Sequence, residues 1–197
     1  MDMGVEIINK VINKHLLIFD LDGTLVNTDD VNFLAYKDAI QKITNLDLAL
    51  LHETDERFTR EKLYSIIPNL QSQEHEKIIE MKNSAYEKYL HKSKVNNFIL
   101  KIIDKFSQTN KIVLATNSHK DRANMILRHH GLINLFDNMF YKEDYKKQRN
   151  KFQHVFSFLG ITDPSLVLVF EDDVNEILKA KLLGIPDNNI ATHICQV

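Results

Sequence analysis

His15-Leu-Leu-Ile-Phe-Asp20-Leu-Asp22-Gly23-Thr24 is the stretch on which the fold turns. Leu16 to Phe19 is continuously apolar and stops at a carboxylate, the pattern of a strand buried on both faces. Lys111-Ile-Val-Leu-Ala-Thr116 repeats the format, and so does Leu166-Val-Leu-Val-Phe170, which runs into Glu171-Asp172-Asp173. Asn138-Met-Phe-Tyr141 reads as a further, less regular strand, and Ile190-Ala-Thr-His-Ile194 as a closing edge strand.

Helical patterns fill the intervals. Phe98, Ile99, Ile102, Ile103 and Phe106 share one face, and Ala123, Ile126 and Leu127 open another that Gly131 stops. Phe152, Val155, Phe156 and Leu159 form a third stripe ended by Gly160. Ile177, Leu178, Lys181 and Leu182 form a fourth, ended by Gly184 and Pro186. Such stripes are core packing and carry no chemistry. Strands alternating with helices predict an α/β protein with a parallel sheet covered on both faces and joined by right-handed crossovers. Ligands bind such sheets beyond the carboxyl ends of the strands. Asp20 and Asp22, Thr116, and Glu171 and Asp172 therefore converge from three parts of the chain on one sheet edge.

Asp29 to about Lys94 differs from the rest. It has no convincing strand, many charges, and helical stretches at Phe33 to Ile43, Arg60 to Ile67 and Gln73 to His91. The expectation is a small helical cap, residues 29–94, inserted into a core of residues 1–28 and 95–197; surface helices flanking the sheet are the alternative. Residues 1–14 read as an amphipathic extension.

Composition narrows the function. With 25 basic against 27 acidic side chains the formal net charge is -2, which gives no general attraction to nucleic acid or anionic membrane. The single cysteine, Cys195, allows no intramolecular disulfide. Neither a signal-peptide stretch nor a run of roughly 20 apolar residues occurs, so a cytoplasmic protein is expected.

Asp20 and Asp22, two positions apart at a strand end, both face the space above the sheet once the chain leaves the pleat. Gly23 permits the tight turn. Two close carboxylates repel unless a proton or cation intervenes, and a hard divalent ion is the usual solution. A calcium loop would need a Glu at its twelfth position, where Val31 stands, and a preceding helix. A plain turn with solvated carboxylates is the other reading.

Ile18-Phe-Asp-Leu-Asp-Gly-Thr-Leu-Val26 resembles the first motif of the haloacid dehalogenase-like superfamily, in its branch with small helical caps (phosphoglycolate phosphatase and beta-phosphoglucomutase relatives). The resemblance implies a Rossmann-like core, a Mg²⁺ ion, and an aspartyl-phosphate formed on Asp20, with Asp22 as the acid/base. Ile112-Val-Leu-Ala-Thr-Asn-Ser118 is similar to the second motif, which makes Thr116 the phosphate-binding hydroxyl and gives Asn117 a backbone donor; Thr116 or Ser118 could instead cap the next helix. Glu171-Asp172 resembles the acidic motif. Asp172 is then a metal ligand with the Asp20 carboxylate and the Asp22 carbonyl oxygen, while Glu171 and Asp173 compete for the place. Gly23 and Thr24 would line the phosphate site. Counting back from Leu159-Gly160, the family spacing selects Lys146 as the active-site lysine; the prolines usual after it are absent, and Lys142, Lys147 and Lys151 are alternatives. In the cap, Phe58-Thr-Arg-Glu-Lys-Leu63 resembles a substrate-contacting segment, which would bring Arg60 to the substrate.

The implied activity is Mg²⁺-dependent hydrolysis of a small phosphorylated metabolite. A sugar phosphomutase would use the same residues, and a non-catalytic phosphate binder or phospho-accepting receiver is the alternative from outside enzymology. A receiver, however, carries its acceptor Asp on a later strand.

Overall fold

The computed structural model describes residues 9–47, 58–145 and 150–192. The chain forms β1 (Leu16–Phe19), β2 (Val26–Asn27), α1 (Asp29–Thr44), α2 (Arg60–Ile66), α3 (Ser72–Ala85), β3 (Lys94–Val95) and α4 (Asn97–Phe106). It continues through β4 (Lys111–Ala115), α5 (Lys120–His129), β5 (Asn138–Phe140), α6 (Lys151–Leu159), β6 (Val167–Phe170), α7 (Val174–Leu182) and β7 (Ile190–Ala191). Two compact units result: one holds the described residues up to Val26 and from Val95 onward, the other Asn27–Lys94.

In the first unit five strands make a parallel sheet in the order β5-β4-β1-β6-β7. The order follows from the sequence pattern. β1, β4 and β6 are the three apolar runs, and their residues from Ile112, Leu16 and Val167 onward are buried on both faces, so they take the centre. Alternate residues Leu16, Ile18, Val113, Ala115, Val167 and Val169 pack with Phe152 and Val155 of α6 and Ala180 of α7. The intervening positions face the other way, and there Phe19 and Phe170 stack with ring centroids 4.4 Å apart, worth about 0.5–1.5 kcal/mol beyond the area they bury.

β1 sits between β4 and β6, so the chain runs outward to one side of β1 and later returns to the other. This switch point is where α/β sheets open a crevice. Register sharpens it: Phe19 is level with both Leu114 and Phe170. Asp20, Thr116 and Glu171 therefore leave the sheet within two residues of one line.

In the second unit α1 packs against α3 around Tyr36, Ala39, Ile40, Phe58, Leu63, Ile67 and Ile78. The helical stretch expected to reach His91 ends at Ala85, and a 3₁₀ segment, Glu87–Lys92, follows it. Buried Lys82 lies over the rings of Tyr36 and Tyr86, 5.3 and 4.8 Å from their centroids, a placement that offsets its desolvation. No helix among the described residues is long and apolar enough to cross a membrane.

Candidate active site

The turn after β1 is tied tightly to the turn after β6. Gly23 adopts φ +93°, and a Cβ there would stand 2.1 Å from Asp172 Oδ2. Only glycine permits both the backbone conformation and that approach. The neighbouring Thr24 hydroxyl donates to Asp172 Oδ1 at 2.8 Å. Asp172 is thus held over the turn, and its carboxylate, with those of Asp20 and Glu171, offers oxygens all within 4.8 Å of one another. Asp173 plays another part: it is exposed and caps α7, accepting from the backbone N–H groups of Asn175 and Glu176.

Lys151 supplies the cation beneath this cluster. Its Nζ lies 2.6 Å from Asp20 Oδ1 and 2.7 Å from Glu171 Oε2, and the side chain is 1% exposed. Asn150 caps α6 through the N–H groups of Phe152 and Gln153, which makes Lys151 the first helical residue. One turn before Val155, it points with the apolar stripe into the interior. Lys146, the choice from family spacing, lies outside the described residues, as does Lys147. Lys142 is exposed.

Burial dominates the electrostatics. It pushes Asp20 up to about 6, with Lys151 opposing and Asp172 and Asp22 reinforcing. It pushes Glu171 up to about 8, reinforced by Asp20 and opposed by Lys151. Burial pulls the Lys151 ammonium down, but Asp20 and Glu171 more than reverse this, and it stays charged. The three clustered carboxylates and the one ammonium that pairs with two of them leave two excess negative charges when all are ionised. An all-oxygen donor set with that excess fits a hard divalent cation.

Asp22 has a different setting. Its Oδ2 accepts from the Ser118 hydroxyl and from Arg122 Nη2, the latter at 2.8 Å. Ser118, expected as a possible cap, is not the cap of α5; His119 holds that position. Thr116 is 1% exposed, and its hydroxyl accepts from Ser118 N at 3.1 Å, so its own proton remains for donation. Tyr145 buttresses this turn by donating to Thr116 O and to Asn117 Oδ1. Burial holds the Tyr145 phenol well above its ordinary pKa, so it remains a donor. Arg60 lies in the second unit, exposed at the start of α2. Two site residues escaped the sequence reading. Tyr145 had no local signal, and Arg122 is recognisable only as the residue four after Ser118 once the helix start is known.

Residues 17–187 match the haloacid dehalogenase-like hydrolase family. Comparison with curated proteins returns no match. Among solved structures, the chain resembles a predicted phosphoglycolate phosphatase from Haemophilus somnus 129PT, at TM-score 0.73 and 18% identity, covering 92% of this chain and 85% of that one. A subfamily IA, variant 1 hydrolase of the same superfamily from Geobacter sulfurreducens PCA aligns at TM-score 0.67 and 18% identity, over 87% and 84% of the two chains. A family IA, variant 3 hydrolase from Entamoeba histolytica HM-1:IMSS gives 0.67 and 18%, over 90% and 82%. At this identity what is shared is the fold.

Proposed function

The chain belongs to the haloacid dehalogenase-like hydrolase family, and we propose that within it this protein is a Mg²⁺-dependent phosphatase of small phosphorylated metabolites. The observation that carries the reading is the pairing of Asp20 Oδ1 with buried Lys151 beside the oxygens of Glu171 and Asp172. A carboxylate is a weak nucleophile, and this setting supplies what it lacks: a fixed orientation and a cation to offset the phosphoryl charge. Asp20, Asp172 and the Asp22 carbonyl oxygen would hold Mg²⁺, which when bound neutralises phosphoryl oxygens and orients the ester. Glu171 holds Lys151 through a second ion pair, at 2.7 Å.

In the first step an Asp20 oxygen bonds phosphorus as the ester O–P bond breaks, and Asp22 gives its proton to the departing oxygen. The products are an alcohol and an aspartyl-phosphate. In the second, Asp22 takes a proton from water, whose oxygen bonds phosphorus as the Asp20–phosphorus bond breaks; phosphate leaves and Asp20 is restored. Thr116 donates its hydroxyl proton to a phosphoryl oxygen, and the Asn117 backbone N–H, Gly23 and Thr24 frame the same group. Residues 29–94 act in this reading as the substrate-selecting cap, with Arg60 contacting an anionic or hydroxylated substrate.

The test is Asp20→Asn assayed for Mg²⁺-dependent cleavage of p-nitrophenyl phosphate and for acid-stable phosphoprotein. Loss of activity by about a thousandfold or more, with no phosphoprotein and an intact fold, is expected. Undiminished turnover in that variant would remove the nucleophile. Product analysis on hexose phosphates separates hydrolysis from phosphoryl return to the sugar.

A further inference from the structure

Arg122 is used by none of the steps above, yet it touches the residue that moves the proton. Its Nη2 donates to Asp22 Oδ2 at 2.8 Å and also to the Ser118 hydroxyl, which itself donates to the same carboxylate oxygen. Asp22, Ser118 and Arg122 close a three-membered ring of polar contacts. Two of its members stand four residues apart, one in the turn after β4 and one in the first turn of α5. That spacing puts both donors on one side of the turn.

The position is unfavourable for a basic side chain on local grounds. The first turn of a helix carries the positive end of its dipole, and a cation there is opposed. Arg122 is nevertheless drawn in, 29% exposed, against an Asp22 side chain that is 7% exposed. A helix designed only to be stable would place an acid or a neutral residue there.

We propose that Arg122 is a positioning residue for the acid/base: with Ser118 it fixes the Asp22 carboxylate by Oδ2, so that Oδ1 is the oxygen that delivers and receives the proton. This rests on the phosphatase reading and deepens it. A carboxylate turning about its Cβ–Cγ bond presents either oxygen in varying directions. Two donors on one oxygen, one of them a planar guanidinium, hold both bearing and distance. As the ester O–P bond breaks, the proton on Oδ1 passes to the ester oxygen. In the second step Oδ1 takes a proton from water while the water oxygen bonds phosphorus and the Asp20 bond breaks. Lysine in place of arginine would offer a point charge but not the planar fork that fixes an oxygen.

The consequence is specific to the leaving group. An alkoxide departs only with its proton, whereas a dinitrophenolate departs without one. The experiment compares Arg122→Gln and Arg122→Lys with the unaltered full-length protein in Mg²⁺, measuring single-turnover phosphoenzyme formation by acid quench. The substrates are 2,4-dinitrophenyl phosphate and glycerol 2-phosphate. The expected result for Arg122→Gln is a loss of about 100-fold with the alkyl ester, in keeping with a general acid's usual contribution. The loss with the aryl ester should be about threefold or less, with KM for both and the melting temperature nearly unchanged. Arg122→Lys should fall between. Equal losses on the two esters, or a raised KM with unchanged kcat, would overturn the positioning role while leaving the phosphatase intact. An unaltered protein that forms no phosphoenzyme from either ester would overturn the underlying reading, and this inference with it.

Discussion

Asp20 and Asp22 are two residues apart, yet they look into opposite surroundings. Asp20 is part of a cluster of three carboxylates, two of which share one buried ammonium, and its charge is only partly answered. Asp22 accepts from a guanidinium and a hydroxyl at the start of α5, and that cation keeps contact with solvent. Two groups of one chemical type acquire different roles when their environments are pushed apart in this way. The unanswered negative charge lies on the Asp20 side.

The largest expected effect breaks the Asp20 side outright. Lys151→Met leaves Asp20 and Glu171 buried without their cation, and stranding a buried charge costs about 3–5 kcal/mol. Chemical denaturation should show that loss in metal-free protein, partly relieved at low pH, where the carboxylates protonate. The corresponding loss on the Asp22 side, with Arg122→Gln, should be about 1 kcal/mol or less because that pair is partly solvated. Equal losses would mean that the two environments do not differ as described.

A second, smaller effect is read by pH. Asp20 and Glu171 are pushed up to about 6 and about 8 from ordinary carboxylate values near 4. In that window the folded protein binds protons that the unfolded chain has already released. Metal-free stability is therefore fullest at low pH with respect to these groups and falls as pH rises from about 4 through 6 to 8. Saturating Mg²⁺ should flatten this decline, because the cation then answers the charge in place of the proton. Melting curves between pH 5 and 8, with and without Mg²⁺, check both halves. A flat metal-free profile would contradict the assigned shifts.

The legibility of the two sides differs for a physical reason. The sheet, its buried strands and the position of Asp20, Asp22 and Gly23 are written in contiguous stretches, since an apolar run that ends in a carboxylate and a glycine is itself a strand and its turn. That Thr116 and Glu171 lie at the same edge follows from the alternation of strands and helices. Family spacing favours Lys146 and leaves Lys151 only an alternative, although the prolines usual after the lysine are missing there. The local signal was present: Asn150 is a good cap, and Lys151 lies four residues before Val155, on the stripe completed by Phe152, Phe156 and Leu159. A lysine on the buried side of such a stripe needs an anion inside. Arg122 had no such mark. Its partner is 100 residues away in sequence, and only the folded crossover reveals that they meet.

The finest probe of the comparison is Gly23→Ala, which disturbs one side and spares the other. The backbone there holds φ +93°, so alanine costs about 1–2 kcal/mol from conformation alone. Its methyl group would also claim the space of Asp172 Oδ2, which lies 2.1 Å from the added carbon. The Asp172 carboxylate is the end of a short side chain and can swing away, so the fold should survive. In swinging it breaks the 2.8 Å bond from Thr24 and leaves the oxygens of Asp20 and Glu171. Thermal shift in Mg²⁺ should therefore show a modest fall in melting temperature without the ion and a nearly abolished gain on adding it. Because the contacts of Asp22 with Ser118 and Arg122 come from the β4–α5 turn, they should persist. A Gly23→Ala protein that keeps its full Mg²⁺ response would show that Asp172 is not needed to hold the ion.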